Sequence, residues 1–165
     1  MNSMLLEITN RIVHMLPSTR CFALKRALYR LCGAKIGRNV RICSSVSILG
    51  DHPLTIGENT WIGHETLILA SAPIQIGRNV NIAPRCFIGT GTHEIDSRGR
   101  AIAGRGVSLP VTIGDGSWLC THTVMIAGSS IGEKSITAAG AIITKNVPAG
   151  ELWGGVPAKF IKKVV

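Results

Sequence analysis

The sequence predicts an all-β solenoid: short parallel strands wound into a narrow three-sided prism, with a helical cap at its N-terminal end. Three observations predict it. An Ile-Gly pair recurs at 36–37, 56–57, 76–77, 113–114 and 131–132. From each of these Ile residues an apolar residue returns every sixth position: Ile36, Ile42, Ile48; Ile56, Ile62, Ile68; Ile76, Ile82, Ile88; Ile113, Leu119, Met125; Ile131, Thr137, Ile143. The composition joins 19 glycines to an aromatic content of only 4%. A period of six matches neither an amphipathic helix nor an alternating strand, and a repeat held in register marks stacked units.

Each element follows from the pattern. Of the 15 inward sites 12 are Ile, and only Thr137 is not clearly apolar. β-Branched side chains suit a strand and stack on their equivalents above and below. Four positions after each inward residue the side chain is small, as in Val40, Thr60, Val80, Cys86, Thr92, Ser117, Thr123 and Ala141; His52 breaks that column. Gly after Ile, and Asn two beyond it (Asn39, Asn59, Asn79), suit corners that need unusual backbone angles. A thin triangular core leaves little room for rings. Five coils and a partial sixth stack to roughly 25–30 Å at the spacing of paired strands.

Two interruptions break the repeat. Leu54-Thr55 and Ile74-Gln75 read as two-residue corner insertions. Between Ile88 and Ile113 lie 25 positions instead of six, which makes residues 94–111 an inserted loop containing Arg98, Arg100 and Arg105. A loop of that length in a compact solenoid is usually functional. The layout is a helical segment at 1–35, the repeat region at 36–148 and a C-terminal segment at 149–165.

The length of 165 residues holds one domain. Net charge is +9, unevenly spread. Residues 1–41 carry eight Lys/Arg against one Glu, residues 42–115 five against six acids, and residues 116–165 five Lys against two Glu. Basic ends suit phosphate-bearing ligands, acidic lipid or nucleic acid. Residues 3–16 and 18–32 read as amphipathic helices, the first presenting Met4, Leu5, Ile8, Ile12 and Met15 or Leu16. They serve as a cap over the raw end of the solenoid, as a peripheral membrane contact, or as both. Five scattered cysteines make neither a disulfide framework nor a zinc site. No run is long and apolar enough to span a bilayer. The N-terminus lacks a leader's apolar core, so the expected location is cytoplasmic, at the inner face of the membrane if the helices bind it.

Several segments go beyond the period. They are Leu28-Tyr-Arg-Leu-Cys-Gly-Ala-Lys-Ile-Gly37, Thr90-Gly-Thr-His-Glu-Ile95, Gly114-Asp-Gly-Ser-Trp-Leu119, the corner Thr144-Lys-Asn-Val-Pro148, and Gly155-Val-Pro-Ala-Lys159. With the hexads, they make the chain resemble the hexapeptide-repeat acyltransferases over about three quarters of its length. Within that family it looks most like the maltose and galactoside O-acetyltransferases and the O-acetyltransferases of lipopolysaccharide, capsule and colanic acid. The resemblance implies a left-handed parallel β-helix, against the usual handedness of parallel crossovers.

The resemblance also implies acetyl-coenzyme A as acyl donor, no metal, and a homotrimer with each active site between two subunits. It places the catalytic base at His93, and imidazole suits that task because it changes charge near neutral pH. It gives Thr121 a backbone N–H for the oxyanion, an effect worth a few kcal/mol in enzymes. Trp118 would lie beside acceptor and pantetheine. Ala139, Gly140, Lys145 and Lys159 would line the coenzyme A site, with Lys162 and Lys163 as further phosphate partners. Glu94 and Asp96 are candidates to orient the His93 ring, Glu94 also lying toward the acceptor. The sugar acetyltransferases carry Asn thirty residues before the base; here that position is Gly63, and its neighbour His64 is the candidate substitute for binding the acceptor. Plainer roles compete throughout: a solvated loop histidine for His93, packing for Trp118, a solvated tail for Lys162 and Lys163.

The expected activity is transfer of acetyl to a hydroxyl of a sugar or surface-polysaccharide precursor, free or lipid-linked. His93 would deprotonate the hydroxyl, which attacks the thioester directly. An amino-sugar N-acetyltransferase is the alternative. A non-catalytic β-helix assembly module and a zinc enzyme of the gamma-carbonic-anhydrase type are weaker readings; the second needs two His five residues apart, which His93 does not offer. Nucleic acid is not an expected partner.

Overall fold

The computed structural model describes residues 1–164. Two helices, α1 (Ser3–His14) and α2 (Phe22–Leu31), precede the solenoid. The first coil runs through β1 (Lys35–Ile36), β2 (Arg41–Ile42) and β3 (Ser47–Gly50). The second is β4 (Leu54–Ile56), β5 (Trp61–Ile62) and β6 (Leu67–Ala70). The third is β7 (Ile74–Ile76), β8 (Asn81–Ile82) and β9 (Phe87–Gly89). An antiparallel hairpin, β10 (Gly91–Ile95) and β11 (Ala103–Ser108), then leaves the prism. The fourth coil is β12 (Val111–Ile113), β13 (Trp118–Leu119) and β14 (Val124–Met125). The fifth is β15 (Ser130–Ile131), β16 (Ile136–Thr137) and β17 (Ile142–Ile143). A closing hairpin of β18 (Glu151–Gly155) and β19 (Ala158–Lys163) follows.

Each strand pairs with its counterpart one coil on, so three parallel sheets form the faces of a left-handed prism. The first strands of the coils make face 1, the second strands face 2 and the third strands face 3. The hairpin arm leaves this stacking intact: Ile76 pairs with Ile113 across 37 positions. Nearly every inward column residue is fully buried, each worth roughly 1.5–3 kcal/mol relative to exposure. Thr137, the polar member, satisfies its hydroxyl against that of Thr123 at 2.7 Å.

Several sequence expectations need correction. Leu54-Thr55 and Ile74-Gln75 are not corner insertions. They lengthen the face 1 strands from two residues to three and turn Leu54 and Ile74 into the core, where Val111 joins them. Val111 therefore belongs to the prism, and the excursion spans Gly91 to Ser108. Thr92 is exposed on the arm, and Thr90 takes the buried corner. The Thr90 hydroxyl accepts from Ser71 N–H (2.8 Å) and Ala72 N–H (2.9 Å), anchoring the arm's root.

The corner glycines are also explained differently. Asn39, Asn59 and Asn79 do take the left-handed conformation, with φ of 54°, 59° and 55°. The Gly after each Ile does not. At Gly57 a Cβ would lie 2.5 Å from the Arg78 nitrogen and the Gly77 carbonyl carbon, so that Gly permits successive coils to approach.

The N-terminal cap explains the local charge. Unpaired carbonyls at the open end of the first coil would be costly if buried. Lys25, fully buried, donates to the carbonyls of Pro17 (3.0 Å), Ser18 (3.0 Å) and Ile42 (3.3 Å). Burial lowers the pKa of its ammonium. Arg26 donates to Val40 O at 2.9 Å, and Arg30 to the carbonyls of Ile36 and Gly37. Asn10 of α1 imitates a neighbouring strand, donating to Ile48 O at 2.8 Å and accepting from Ile48 N–H at 3.3 Å. Three of the basic side chains thus bond to backbone carbonyls of the protein itself. Helix α2 begins at Phe22, not 18, because Cys21 is left-handed (φ 55°). Helix α1 packs through Leu6, Thr9, Asn10 and Val13 and leaves Met4, Ile8, Ile12 and Met15 exposed.

At the other end β18 extends face 2 beside β16, and β19 folds back on it. Trp153, opposite the inward Thr137, packs against the core and closes the prism. Its indole N–H donates to Glu151 at 2.7 Å, and Lys145 Nζ lies 5.5 Å from its ring centroid.

Candidate active site

His93 is exposed on β10, where the arm's first strand leaves the edge between faces 3 and 1. Hairpin pairing sets its ring: His93 Nδ1 lies 2.9 Å from the carbonyl oxygen of Gly104. A carbonyl only accepts, so Nδ1 carries the proton. In the neutral ring Nε2 is then a bare acceptor facing away from that bond, the form a general base needs.

Neither acid suggested by the sequence orients this ring. Glu94 accepts from Arg105 on the same arm at 2.8 Å. Asp96 caps the hairpin turn, accepting from the N–H groups of Arg98 (3.0 Å) and Gly99 (2.8 Å). Adjacent strand residues point to opposite sides, so Glu94 is turned away from its neighbour's imidazole. The Gly104 carbonyl was invisible in the sequence because it depends on the pairing of β10 with β11.

A second group lies on another edge, between faces 2 and 3. There each coil makes a turn of similar length, and His64, Pro84, Thr121 and Ala139 stack at equivalent places. Arg85 N–H donates to His64 O (2.8 Å), His122 N–H to Pro84 O (3.2 Å) and Gly140 N–H to Thr121 O (2.9 Å). The Thr121 hydroxyl donates to Pro84 O at 2.8 Å. Its backbone N–H makes no hydrogen bond among the described residues. His64 Nδ1 lies 3.3 Å from the Ser45 hydroxyl. Trp118, half exposed at 49%, stands on face 2 just before this edge.

Ala139 and Gly140 occupy the same edge in the fifth coil, and Gly140 is left-handed at φ 73°. Gly154 packs against Ala138, and Lys159 pairs with Gly154, which brings Lys159 to that corner. Lys145 lies beyond the Trp153 plug. Lys162 and Lys163 are exposed at the far end of β19. The chain therefore gathers Thr121, Ala139, Gly140, Trp118 and His64 along one edge and holds His93 on a different one. Among the described residues no group of three His, Cys, Asp or Glu could hold a metal.

Sequence reading overlooked Trp61 and Asn81, which stand beside Trp118 on face 2 in direct register. The signal was present: all three occupy the position before the inward residue of the second hexad, in Trp61-Ile62, Asn81-Ile82 and Trp118-Leu119.

No protein-family model matches the chain. It is 33% identical over 138 residues to a protein of Escherichia coli provisionally named colanic acid biosynthesis acetyltransferase WcaF, covering 84% of this chain and 74% of that one. It is 30% identical over 129 residues to the galactoside O-acetyltransferase of Escherichia coli, covering 78% of this chain and 53% of the relative, about half its length. Among solved structures, a hexapeptide-repeat acetyltransferase of Vibrio cholerae in complex with acetyl-coenzyme A superposes with a TM-score of 0.79 at 25% identity, over 99% of this chain and 87% of that one. A maltose O-acetyltransferase of Clostridium difficile superposes with a TM-score of 0.75 at 23% identity, over 99% and 87%, a likeness of fold alone. The chain belongs to the hexapeptide-repeat acetyltransferases.

Proposed function

We propose that the protein transfers the acetyl group of acetyl-coenzyme A to a hydroxyl of a sugar or surface-polysaccharide precursor, with His93 as general base. The observation that carries this is the Nδ1 bond from His93 to the Gly104 carbonyl, which leaves Nε2 free to take a proton. The acceptor hydroxyl gives its proton to Nε2 as its oxygen attacks the thioester carbon. The Thr121 N–H holds the oxygen of the tetrahedral intermediate. When the carbon–sulfur bond breaks, the imidazolium returns its proton to the leaving thiolate. No covalent enzyme intermediate is needed. Ala139 and Gly140 offer backbone to pantetheine, and Lys145 and Lys159 meet the donor's phosphates. The names of the relatives support acetyl transfer to saccharides.

Because His93 and Thr121 stand on different edges, the active unit in this reading is a homotrimer in which one chain's arm reaches the adjacent chain's edge. The first test is coenzyme A release across a panel of neutral sugars and amino sugars. The expected result is O-acetylated product; acetylation of amino sugars alone would turn the reading to N-acetyl transfer.

The exposed apolar face of α1 supports peripheral contact of residues 1–32 with an anionic membrane from the cytoplasmic side. Met4 is 75% and Met15 79% exposed. Because Lys25, Arg26 and Arg30 serve the first coil, binding should be driven more by apolar insertion than by charge. No helix among the described residues is long and apolar enough to cross a membrane. Co-sedimentation with anionic vesicles should fall sharply for Ile8→Asp/Ile12→Asp and only modestly with salt; unchanged binding in that variant would remove the membrane contact.

A further inference from the structure

Face 2 carries an open groove of about 440 Å³ lined by Trp61, Asn81, Ala83, Pro84 and Trp118. We infer that it is an acceptor subsite in which Trp61 and Trp118 clasp one pyranose ring of an uncharged saccharide above Asn81. The inference rests on the acetyltransferase reading above and names the substrate class it would take.

The geometry comes from the register. Trp61, Asn81 and Trp118 are direct partners on β5, β8 and β13, so the two indoles are rooted two strand spacings apart, about 10 Å. That separation admits one puckered ring with van der Waals contact of about 4 Å on either side. An indole face is apolar and broad, matching the C–H face of a sugar, while the Asn81 amide offers both donors and an acceptor to its hydroxyls. Trp61 is braced from behind: the Arg41 guanidinium stacks 4.9 Å from its ring centroid, and Phe22 meets it edge-on at 6.1 Å. Arg41 precedes Trp61 in the sheet and Asn81 follows it, so the braced side faces the cap and the other side faces the groove.

Three observations set the class of ligand. The groove's lining carries no ionisable side chain, which disfavours a phosphate, a uronic acid or another anionic sugar at this subsite. It lies on the N-terminal side of Trp118, whereas Lys145 and Lys159 lie on the C-terminal side, so the donor's phosphates and the groove fall on opposite sides of that ring. Its wall includes Pro84, whose carbonyl accepts the Thr121 hydroxyl at 2.8 Å; the groove therefore ends against the turn that bears the oxyanion donor.

The test reads binding without turnover. Saturation-transfer NMR on the intact protein would use methyl glycosides of galactose and glucose, lactose and maltose as neutral probes, and methyl glucuronide and coenzyme A as comparisons. Transfer to the ring protons of a neutral glycoside is expected, reduced at least fivefold in Trp61→Ala and in Asn81→Trp. The second variant fills the groove from an exposed position while leaving Trp61 and its braces in place. In turnover, both variants should raise the acceptor KM at least tenfold and leave the acetyl-coenzyme A KM within twofold. Neutral-glycoside signals unchanged in both variants, or a signal for coenzyme A or methyl glucuronide that both variants abolish, would overturn the subsite. Absence of acetyl transfer to any sugar, with groove binding intact, would overturn the acetyltransferase reading and leave a saccharide-binding groove.

Discussion

Two edges of this prism are built to different rules. The edge between faces 2 and 3 turns in four residues at every coil, from 43–46 in the first to 138–141 in the fifth. Glu65, Arg85, His122 and Gly140 take the left-handed conformation at its equivalent places. The edge between faces 3 and 1 is irregular. It crosses in three residues in the first two coils and then throws out the arm at Gly91–Ser108. A uniform edge holds groups at fixed heights, about 4.8 Å apart, and suits a fixed donor such as the Thr121 N–H. An irregular edge can project a side chain away from the prism, and that is where His93 stands. The mechanism proposed above needs both kinds of group within reach of one carbonyl. A single chain keeps them on separate edges.

The largest expected effect contrasts one histidine from each edge. His93→Ala should lower turnover about a hundred- to ten-thousandfold, as for loss of a general base, with melting temperature and donor affinity retained. His122→Ala, on the regular edge, should change turnover less than about threefold by the same reckoning. A large loss in His122→Ala with the fold intact would move the base to the wrong edge.

Stability should show the opposite bias. Gly57→Ala would place its Cβ 2.5 Å from backbone of the third coil and should cost about 1–3 kcal/mol in urea unfolding. Gly106→Ala on the arm meets nothing within 4 Å and should leave unfolding unchanged. Equal losses would mean that the arm is part of the scaffold.

The smallest effect lies within the arm. Glu94→Gln weakens an exposed ion pair with Arg105, an interaction usually worth under about 1 kcal/mol, and should alter turnover less than about threefold. A loss comparable to that of His93→Ala would return Glu94 to the reacting centre.

What was legible in the sequence follows the same division. The Ile columns and the coil count are periodic, so they could be read directly. The two-residue insertions were misread because period alone does not separate a longer corner from a longer strand; burial of Leu54 and Ile74 decides for the strand. The Ile-Gly glycines were visible as a pattern, but their reason lies between coils, in the approach of Gly57 to Gly77 and Arg78. Basic residues near the N-terminus suggested an external anion, whereas Lys25 turns to the carbonyls of Pro17 and Ser18 in the connector between the helices and of Ile42 in the first coil, targets that only the folded chain brings together. At the candidate site, the segment around His93 stood out in the sequence, but the ring's partner Gly104 is eleven residues away across a hairpin. Trp61 escaped notice because it stacks with Trp118 only through Asn81, two coils apart in space and 57 residues apart in sequence.

In the proposed function His93 of one chain completes the edge of another. Complementation tests it directly, by coexpressing His93→Ala chains with Trp118→Ala chains, each expected to be nearly inactive alone at subsaturating acceptor, and purifying mixed oligomers. If the site lies between subunits, random assembly gives about one intact site in four, since each site needs an intact arm from one chain and an intact edge from its neighbour. Recovery of about a quarter of wild-type turnover is the predicted result. Mixed oligomers no more active than either parent would contradict it, because both groups would then have to come from the same chain.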